Sequence, residues 1–516
     1  MERRDCGKGL SIPFRFMNPP SSSAPPRSRR DVLGLLAAGA AGGLLMPQRS
    51  RGEVPAPLRP PNVLFVFSDQ QKNRAWQMNN PLISTPRLMQ LAAQGTVVQN
   101  AVSQTPICSP YRAMLMSGQY PRTSGVIVND QRLAANGDRL SEVTSRLGYR
   151  NGYIGKWHIS AASGNSVSAS LRHGFTETWK AYEAMHNYSS GTAWYDEANR
   201  AVSLTRYRNY QEADEVVRFL NDHAANHADD PFFLVWSLGP PHNPYSDYHK
   251  TQPSPNFSHY RSLLNDPVNR PPNYAGGESL DSVAGYYTMC SGIDMALGQV
   301  LNRLDALGIA DDTIVVYTSD HGDMLGSYGL KLKQKPWEES INIPFVIRYP
   351  GVVPAGRVSD LLLGSIDLMP TLLGLIGRAS AIPSSVQGMD LSAALCGVPG
   401  APERDALWIG VPVVSSASSL PARPAAAFTG VRTKRHTYAS FKAGTVVAGY
   451  GSKGGYILHD NVNDPWQMEN LVDKPGSEAL QANLHDRLTA LNLEVGESSF
   501  TLPARPVSRG LYIKSR

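Results

Sequence analysis

Five short apolar runs recur along the chain, and each ends in polar or turn-forming residues: NVLFVF (62–67), RNGYIG (150–155), FFLVWSL (232–238), TIVVYT (313–318) and IPFVIR (343–348). Runs without strict alternation predict strands buried on both faces. Between them, helical periodicity predicts helices over 85–96, 138–147, 214–223, 283–307 and 367–375. A further helix follows Cys108, with Ser109 as N-cap, Pro110 in the first helical position and Gly118 as a left-handed end. Strands alternating with helices predict an α/β fold: a large, mostly parallel mixed sheet sandwiched by helices. From residue 401 onward the pattern changes. Strand candidates at 406–410, 429–433 and 436–439, a run at 456–460 and one helix over 476–493 predict a small C-terminal antiparallel α+β subdomain. Residues 159–205 and 243–275 have weak periodicity and read as loops. The aromatic residues of the first (Phe175, Trp179, Tyr182, Tyr188, Trp194, Tyr195) read as loop residues over a site, available to hold a ligand's organic part.

The composition is that of a globular protein, and the net charge of +6 lies entirely in residues 1–60; acidic and basic residues balance over the rest. The basic balance therefore gives no support for a nucleic-acid partner. Arg29-Arg30, ahead of the Gly/Ala-rich apolar run at 34–45, resembles a bacterial twin-arginine export signal, which implies a periplasmic or secreted protein. The run is too short for a comfortable membrane span, and no later stretch supplies one. The expected organisation is an export signal and linker over 1–60, a main domain over 61–400 and the small subdomain over 401–516. Four scattered cysteines (Cys6, Cys108, Cys290, Cys396) make no disulfide framework in a chain of 516 residues.

The candidate chemistry gathers at strand ends. Asp69, Lys156 with His158, His242, and Asp320 with His321 each follow a predicted strand. In open α/β sheets ligands bind beyond the carboxyl ends of the strands, so four such endings point to one shared site. Asp69, Gln70, Asp320 and His321 are mainly oxygen donors and suit a hard divalent cation. On an extended strand end, Lys156 and His158 would face the same way. The helix after Cys108 offers free N–H groups at its start, with Arg112 in its first turn: an anion site with a cysteine at its mouth.

The stretch TPICSPYRAMLMSGQYPRTSGV (105–126) closely resembles the signature of the type I sulfatases, in the alkaline-phosphatase-like superfamily. Gly-Lys-Trp-His at 155–158, Pro-Pro-His-Asn-Pro at 240–244, Lys-Gln-Lys-Pro-Trp-Glu-Glu-Ser at 333–340 and the segment 365–371 follow in family order. The resemblance implies that a maturation enzyme oxidises Cys108 to formylglycine, whose hydrate is the nucleophile. One hydroxyl would attack sulfur and expel the alcohol, and the other would drive out sulfate by collapsing to the aldehyde. It implies Ca²⁺, with Mg²⁺ or Mn²⁺ left open, held by Asp69, Gln70, residue 108, Asp320 and His321. By the same resemblance Arg112 would hold the diol, and Lys156 would bind nucleophile and sulfate. His158 would accept the diol proton, His242 would stand near the leaving oxygen, and Lys333 would neutralise sulfate and that oxygen. Three departures stand out: Tyr111 where Ser, Thr or Ala is commonest, Gln70 for a common Asp, and His321 for a common Asn. The expected activity is hydrolysis of an aryl or carbohydrate sulfate. Two alternatives are a phosphonate monoester or phosphodiester hydrolase with the same nucleophile, and a carbohydrate-binding protein on an inactive sulfatase scaffold.

Overall fold

The computed structural model describes residues 59–161, 164–246, 256–413, 427–442 and 455–498. The expected export signal at 1–60 falls outside them but for its last two residues. The main sheet comprises β1 (Asn62–Asp69), β2 (Thr96–Val102), β3 (Arg150–Lys156), β4 (Thr178–Tyr182), β5 (Thr192–Tyr195), β6 (Ala201–Ser203), β7 (Phe232–Pro241), β8 (Thr313–Ser319), β9 (Val346–Arg348) and β10 (Arg357–Gly364). Their order across the sheet is β10-β2-β9-β8-β1-β7-β3-β4-β5-β6. The centre from β8 to β4 is parallel, whereas β9, β5 and β6 pair antiparallel.

β1 shows why the pattern builds a buried sheet. Val63, Phe65 and Phe67 pack on one face with Tyr111, Leu115 and Met116 of the helix Cys108–Ser117. Leu64 and Val66 pack on the other with Ile293 and Leu297 of the long helix Leu280–Ala306. Each such side chain contributes about 1.5–3 kcal/mol by leaving water. Ser279 caps the long helix, its Oγ accepting the Ser282 N–H at 3.0 Å.

Several expectations change. The strand expected over 343–348 shrinks to β9. β2 and β10, unanticipated, pair in parallel at the sheet's edge. The helix expected over 214–223 runs from Arg208 to Asn226. Residues 159–205 are not all loop: they add β4, β5 and β6 to the sheet. Five of the six aromatic residues named above are packed in the interior. Phe175, Trp179, Tyr182, Tyr188 and Trp194 are buried, and Trp179 meets Trp157 edge-on at 5.2 Å.

The second sheet is antiparallel, β11 (Ala406–Val411), β12 (Phe428–Thr433), β13 (His436–Phe441) and β14 (Tyr456–Asp460), in that order. The helix Glu478–Glu494 covers one face through Leu484, Leu488 and Leu491. The other face shares a core with Val102 and Leu362 of the main sheet. No helix among the described residues is long and apolar enough to cross a membrane.

The helix after residue 107 also starts differently. Ile107 is its N-cap, in extended conformation, and Cys108 is its first residue. Ser109 lies inside the helix rather than at its cap, and its hydroxyl donates to the His158 carbonyl at 2.6 Å. Asn129 takes over, its Oδ1 accepting the Ser109 N–H at 3.0 Å. The expected end is found: Gly118 has φ 61° and donates its N–H to the Met114 carbonyl at 2.8 Å.

Candidate active site

Asp69 closes β1 and Asp320 follows β8, and these neighbouring parallel strands place Ser68 beside Ser319. Lys156 closes β3, and His242 follows β7. All four therefore stand at one end of the sheet. Gly155 makes the approach possible. Its φ is 106°, and a Cβ there would lie 1.9 Å from the Ser237 carbonyl oxygen.

Asp69, Cys108, Asp320 and His321 are buried, and their ligand atoms all lie within 4.8 Å of one another. The tautomer of His321 follows from its neighbour: Nδ1 is 3.0 Å from the Gly322 carbonyl, which can only accept. Its Nε2 lone pair then faces Cys108 Sγ at 3.3 Å, Asp320 Oδ1 at 3.5 Å and Asp69 Oδ1 at 3.6 Å. Electron-rich atoms converging in a water-poor interior fit a divalent cation between them. Burial alone would lower the His321 imidazole, but the negative Asp320 and Cys108 lift it above the ordinary histidine value.

Cations already flank this cluster. Lys156 Nζ donates to Asp69 Oδ2 at 2.6 Å and lies 3.6 Å from Cys108 Sγ. Arg112, 1% exposed, reaches Asp320 Oδ2 at 3.1 Å, Asp69 Oδ2 at 3.4 Å and Ser237 Oγ at 2.7 Å, and donates to the Lys156 carbonyl. Arg112 thus braces the two carboxylates. Burial would raise the Asp69 carboxyl, yet Lys156, His242, His321 and Lys333 hold it well below the usual range. Burial and Asp69 would likewise raise the Cys108 thiol, but Lys156, Lys333 and His321 bring it well below its ordinary value. Tyr111 is buried and packs on Phe67, with ring centroids 6.1 Å apart.

A second cluster adjoins the first. Lys333 Nζ donates to Gln70 Oε1 at 2.6 Å and to His242 Nε2 at 2.7 Å. His242 Nδ1 is 2.9 Å from the Asn243 carbonyl, which fixes the proton on Nδ1. Burial and the Lys333 charge push this imidazole well below the usual histidine range, so it is neutral. Gln70 lies beside the ligand group with its amide bonded at both ends, because Nε2 donates to Asp323 Oδ2 at 2.6 Å and to Tyr245 OH at 3.0 Å. Its backbone N–H donates to Asp320 Oδ1 at 3.0 Å. Lys335, two residues from Lys333, turns its Nζ to the Lys331 and Lys333 carbonyls at 3.0 and 2.8 Å.

The His158 side chain is bonded elsewhere. The chain leaves the extended conformation there, with φ 57°, so the alternation expected from Lys156 to His158 does not carry through. Its Nε2 pairs with Asp130 Oδ1 at 2.9 Å. Three neighbours of the site carry no sequence motif, Asp130, Tyr245 and His186, whereas Asp323 closes the Asp-His-Gly-Asp run at 320–323. His186 stacks on His242 at 4.1 Å with an interplanar angle of 10°. Burial and the Lys156 and Lys333 charges push its imidazole down to about 3.

The family model described as Sulfatase matches residues 61–378, and that of the N-sulphoglucosamine sulphohydrolase C-terminal region matches 326–494. The chain belongs to the sulfatase family. The sulfatase is 33% identical over 446 residues to an ulvan-active sulfatase of Formosa agariphila, covering 85% of this chain and 82% of that protein. It is 29% identical over 483 residues to an endo-4-O-sulfatase of Bacteroides thetaiotaomicron, with 86% and 93% covered. A chain solved in work on the metabolism of multiple glycosaminoglycans by Bacteroides thetaiotaomicron matches with a TM-score of 0.75 at 27% identity, covering 85% of this chain and 97% of that one. The alkaline-phosphatase-like fold expected from the sequence is thereby borne out, and the protein is a sulfuric ester hydrolase.

Proposed function

We propose that the sulfatase hydrolyses a sulfate ester on a carbohydrate, with residue 108 acting as formylglycine after conversion by a maturation enzyme. The observation that carries this reading is the pairing of two clusters: Cys108 among Asp69, Asp320 and His321, and Lys333 bonded to His242 beside it. Relatives named for ulvan and for endo-4-O-sulfate cleavage support the carbohydrate class.

Residue 108, Asp69, Asp320 and His321 would hold one divalent cation, with Ca²⁺ favoured by the two carboxylates. Formylglycine would supply a hydrated aldehyde as nucleophile toward sulfur, and the cation would supply positive charge for the sulfate oxygens. The remaining work falls to the chain's own residues. Arg112 keeps Asp69 and Asp320 in register, and its charge offsets theirs. Lys156, ion-paired to Asp69 and beside position 108, favours an anion there. Lys333 and His242 present hydrogen-bonded nitrogens where negative charge would develop on the leaving oxygen, electrostatic help that is strong in a dry site. Arg29-Arg30 and the apolar run behind them support export of the folded protein to the periplasm or beyond.

Sulfate release from a panel of sulfated oligosaccharides, measured beside turnover of aryl sulfate and aryl phosphonate esters, tests this reading. Sulfate released from an oligosaccharide at rates well above the phosphonate rate supports it. Faster phosphonate turnover would replace it with the phosphonate hydrolase reading, and no turnover of any ester would favour a binding role.

A further inference from the structure

Asp130 and His158 meet through two unusual backbone positions. Both residues have positive φ, 62° and 57°, in the left-handed region that costs a non-glycine residue about 1–2 kcal/mol. Such strain at a site invites a functional explanation. Ser109 ties both positions to the first turn of the Cys108 helix. Its hydroxyl donates to the His158 carbonyl at 2.6 Å and accepts the Asp130 N–H at 3.3 Å. The side chains then join, His158 Nε2 to Asp130 Oδ1, at 2.9 Å. That hydrogen bond holds the Asp130 carboxyl below its usual range, so it is ionised and can only accept. His158 must therefore carry a proton on Nε2. Its other nitrogen, Nδ1, is buried and has no hydrogen-bond partner among the described residues, and the residue is only 4% exposed. Leaving a buried polar atom unpaired costs about 1–3 kcal/mol.

We propose that Asp130 is a positioning residue that fixes His158 in its Nε2–H tautomer, leaving the Nδ1 lone pair for the proton-acceptor role that the sulfatase resemblance assigns to His158. This rests on the formylglycine reading above. In the step that releases sulfate, the free hydroxyl of residue 108 gives its proton to Nδ1, and the O–H electron pair forms the aldehyde C=O. The C–O bond to sulfate breaks, and sulfate departs with that pair. The proton on Nδ1 makes His158 cationic, and Asp130 carries the compensating charge.

The test uses the full-length, converted enzyme with ¹⁵N-labelled histidine, and His158→Gln to assign the resonances. Asp130→Ala and Asp130→Asn are compared, since Asp130 has a side chain 63% exposed and either change leaves the core untouched. The wild type is expected to show Nε2 protonated and Nδ1 bare at His158, and Asp130→Ala to mix the two tautomers. With 4-nitrophenyl sulfate, kcat should fall about 10- to 100-fold in Asp130→Ala, with KM within about threefold. Asp130→Asn keeps an acceptor oxygen and should restore the tautomer and part of kcat. A wild-type Nδ1–H tautomer would overturn the proposal. So would an unchanged kcat in Asp130→Ala when His158→Gln is impaired. An unchanged kcat in His158→Gln would instead overturn the proton-acceptor role itself, with the tautomer still read independently.

Discussion

Removing Arg112 should expose how much of the site's order depends on charge balance. Its guanidinium lies 3.1 Å from Asp320 and 3.4 Å from Asp69, and both carboxylates are fully buried. At an effective dielectric of about 20, each contact corresponds to about 5 kcal/mol of attraction. Burying the guanidinium offsets much of that. Breaking a buried pair by deleting one partner nonetheless costs about 3–5 kcal/mol, because the other charge stays behind uncompensated. Arg112→Ala leaves Asp320 facing Asp69, with Lys156 paired to Asp69 and no other lysine or arginine ion-paired to Asp320 among the described residues. For a folded unit of roughly 450 residues the unfolding entropy is about 1 kcal/mol/K, so the metal-free midpoint should drop by roughly 3–5 °C. Added Ca²⁺ should raise the midpoint further in the variant than in the wild type, since the cation supplies part of the missing charge. Arg112→Lys should recover little, because one ammonium cannot span Asp69, Asp320 and Ser237 together. Scanning calorimetry with and without Ca²⁺ measures both effects. A variant whose metal-free midpoint stays within about 1 °C of wild type would refute the bracing role assigned to Arg112.

Three further outcomes are expected. Lys333→Ala should lower kcat on an ester with a poor leaving group by about 10²–10³, and the Lys333→Ala/His242→Ala double variant should lose little more, since the two act through one contact; additive losses would separate them. Gly155→Ala places a methyl group against the Ser237 carbonyl at a φ of 106°; it should abolish activity and sharply lower the unfolding midpoint, and near-normal values would contradict the close approach of β3 to β7. His459 is buried and its imidazole is pushed down to about 4, chiefly by burial. A histidine depressed below its unfolded value of about 6.5 binds fewer protons when folded, so its stabilising contribution is present above pH 6.5 and is lost as pH falls toward 4, by roughly 3 kcal/mol in all. His459→Gln should flatten that part of the stability profile in urea titrations, and an unchanged profile would exclude His459 as its source.

The sheet's centre was legible because β1, β7 and β8 are continuously apolar and buried on both faces. Its edges were not. β2 carries the exposed Gln99 and part-buried Asn100, and β10 has exposed Val358 and Asp360 and a register shift between Ser359 and Leu362. β4, β5 and β6 have five, four and three residues, too few for periodicity to register. Within the site, motifs located Cys108, Lys156, His242, Asp320 and Lys333, all of which converge. Motifs could not place Ser109, because its hydroxyl turns to a carbonyl 49 residues away instead of capping its own helix. Nor could they reveal Asp130 or His186, whose partners lie 28 and 56 positions along the chain. Asp323 stood inside the Asp-His-Gly-Asp run, yet its partners Gln70 and Tyr245 lie 253 and 78 positions away along the chain.

The central claim is the identity of residue 108. Peptide mass spectrometry across Cys108, on protein recovered from its native host, reads it directly. The account predicts a peptide with the mass of the aldehyde or its hydrate at position 108. An unmodified cysteine there, in folded protein that hydrolyses sulfate esters, would contradict it.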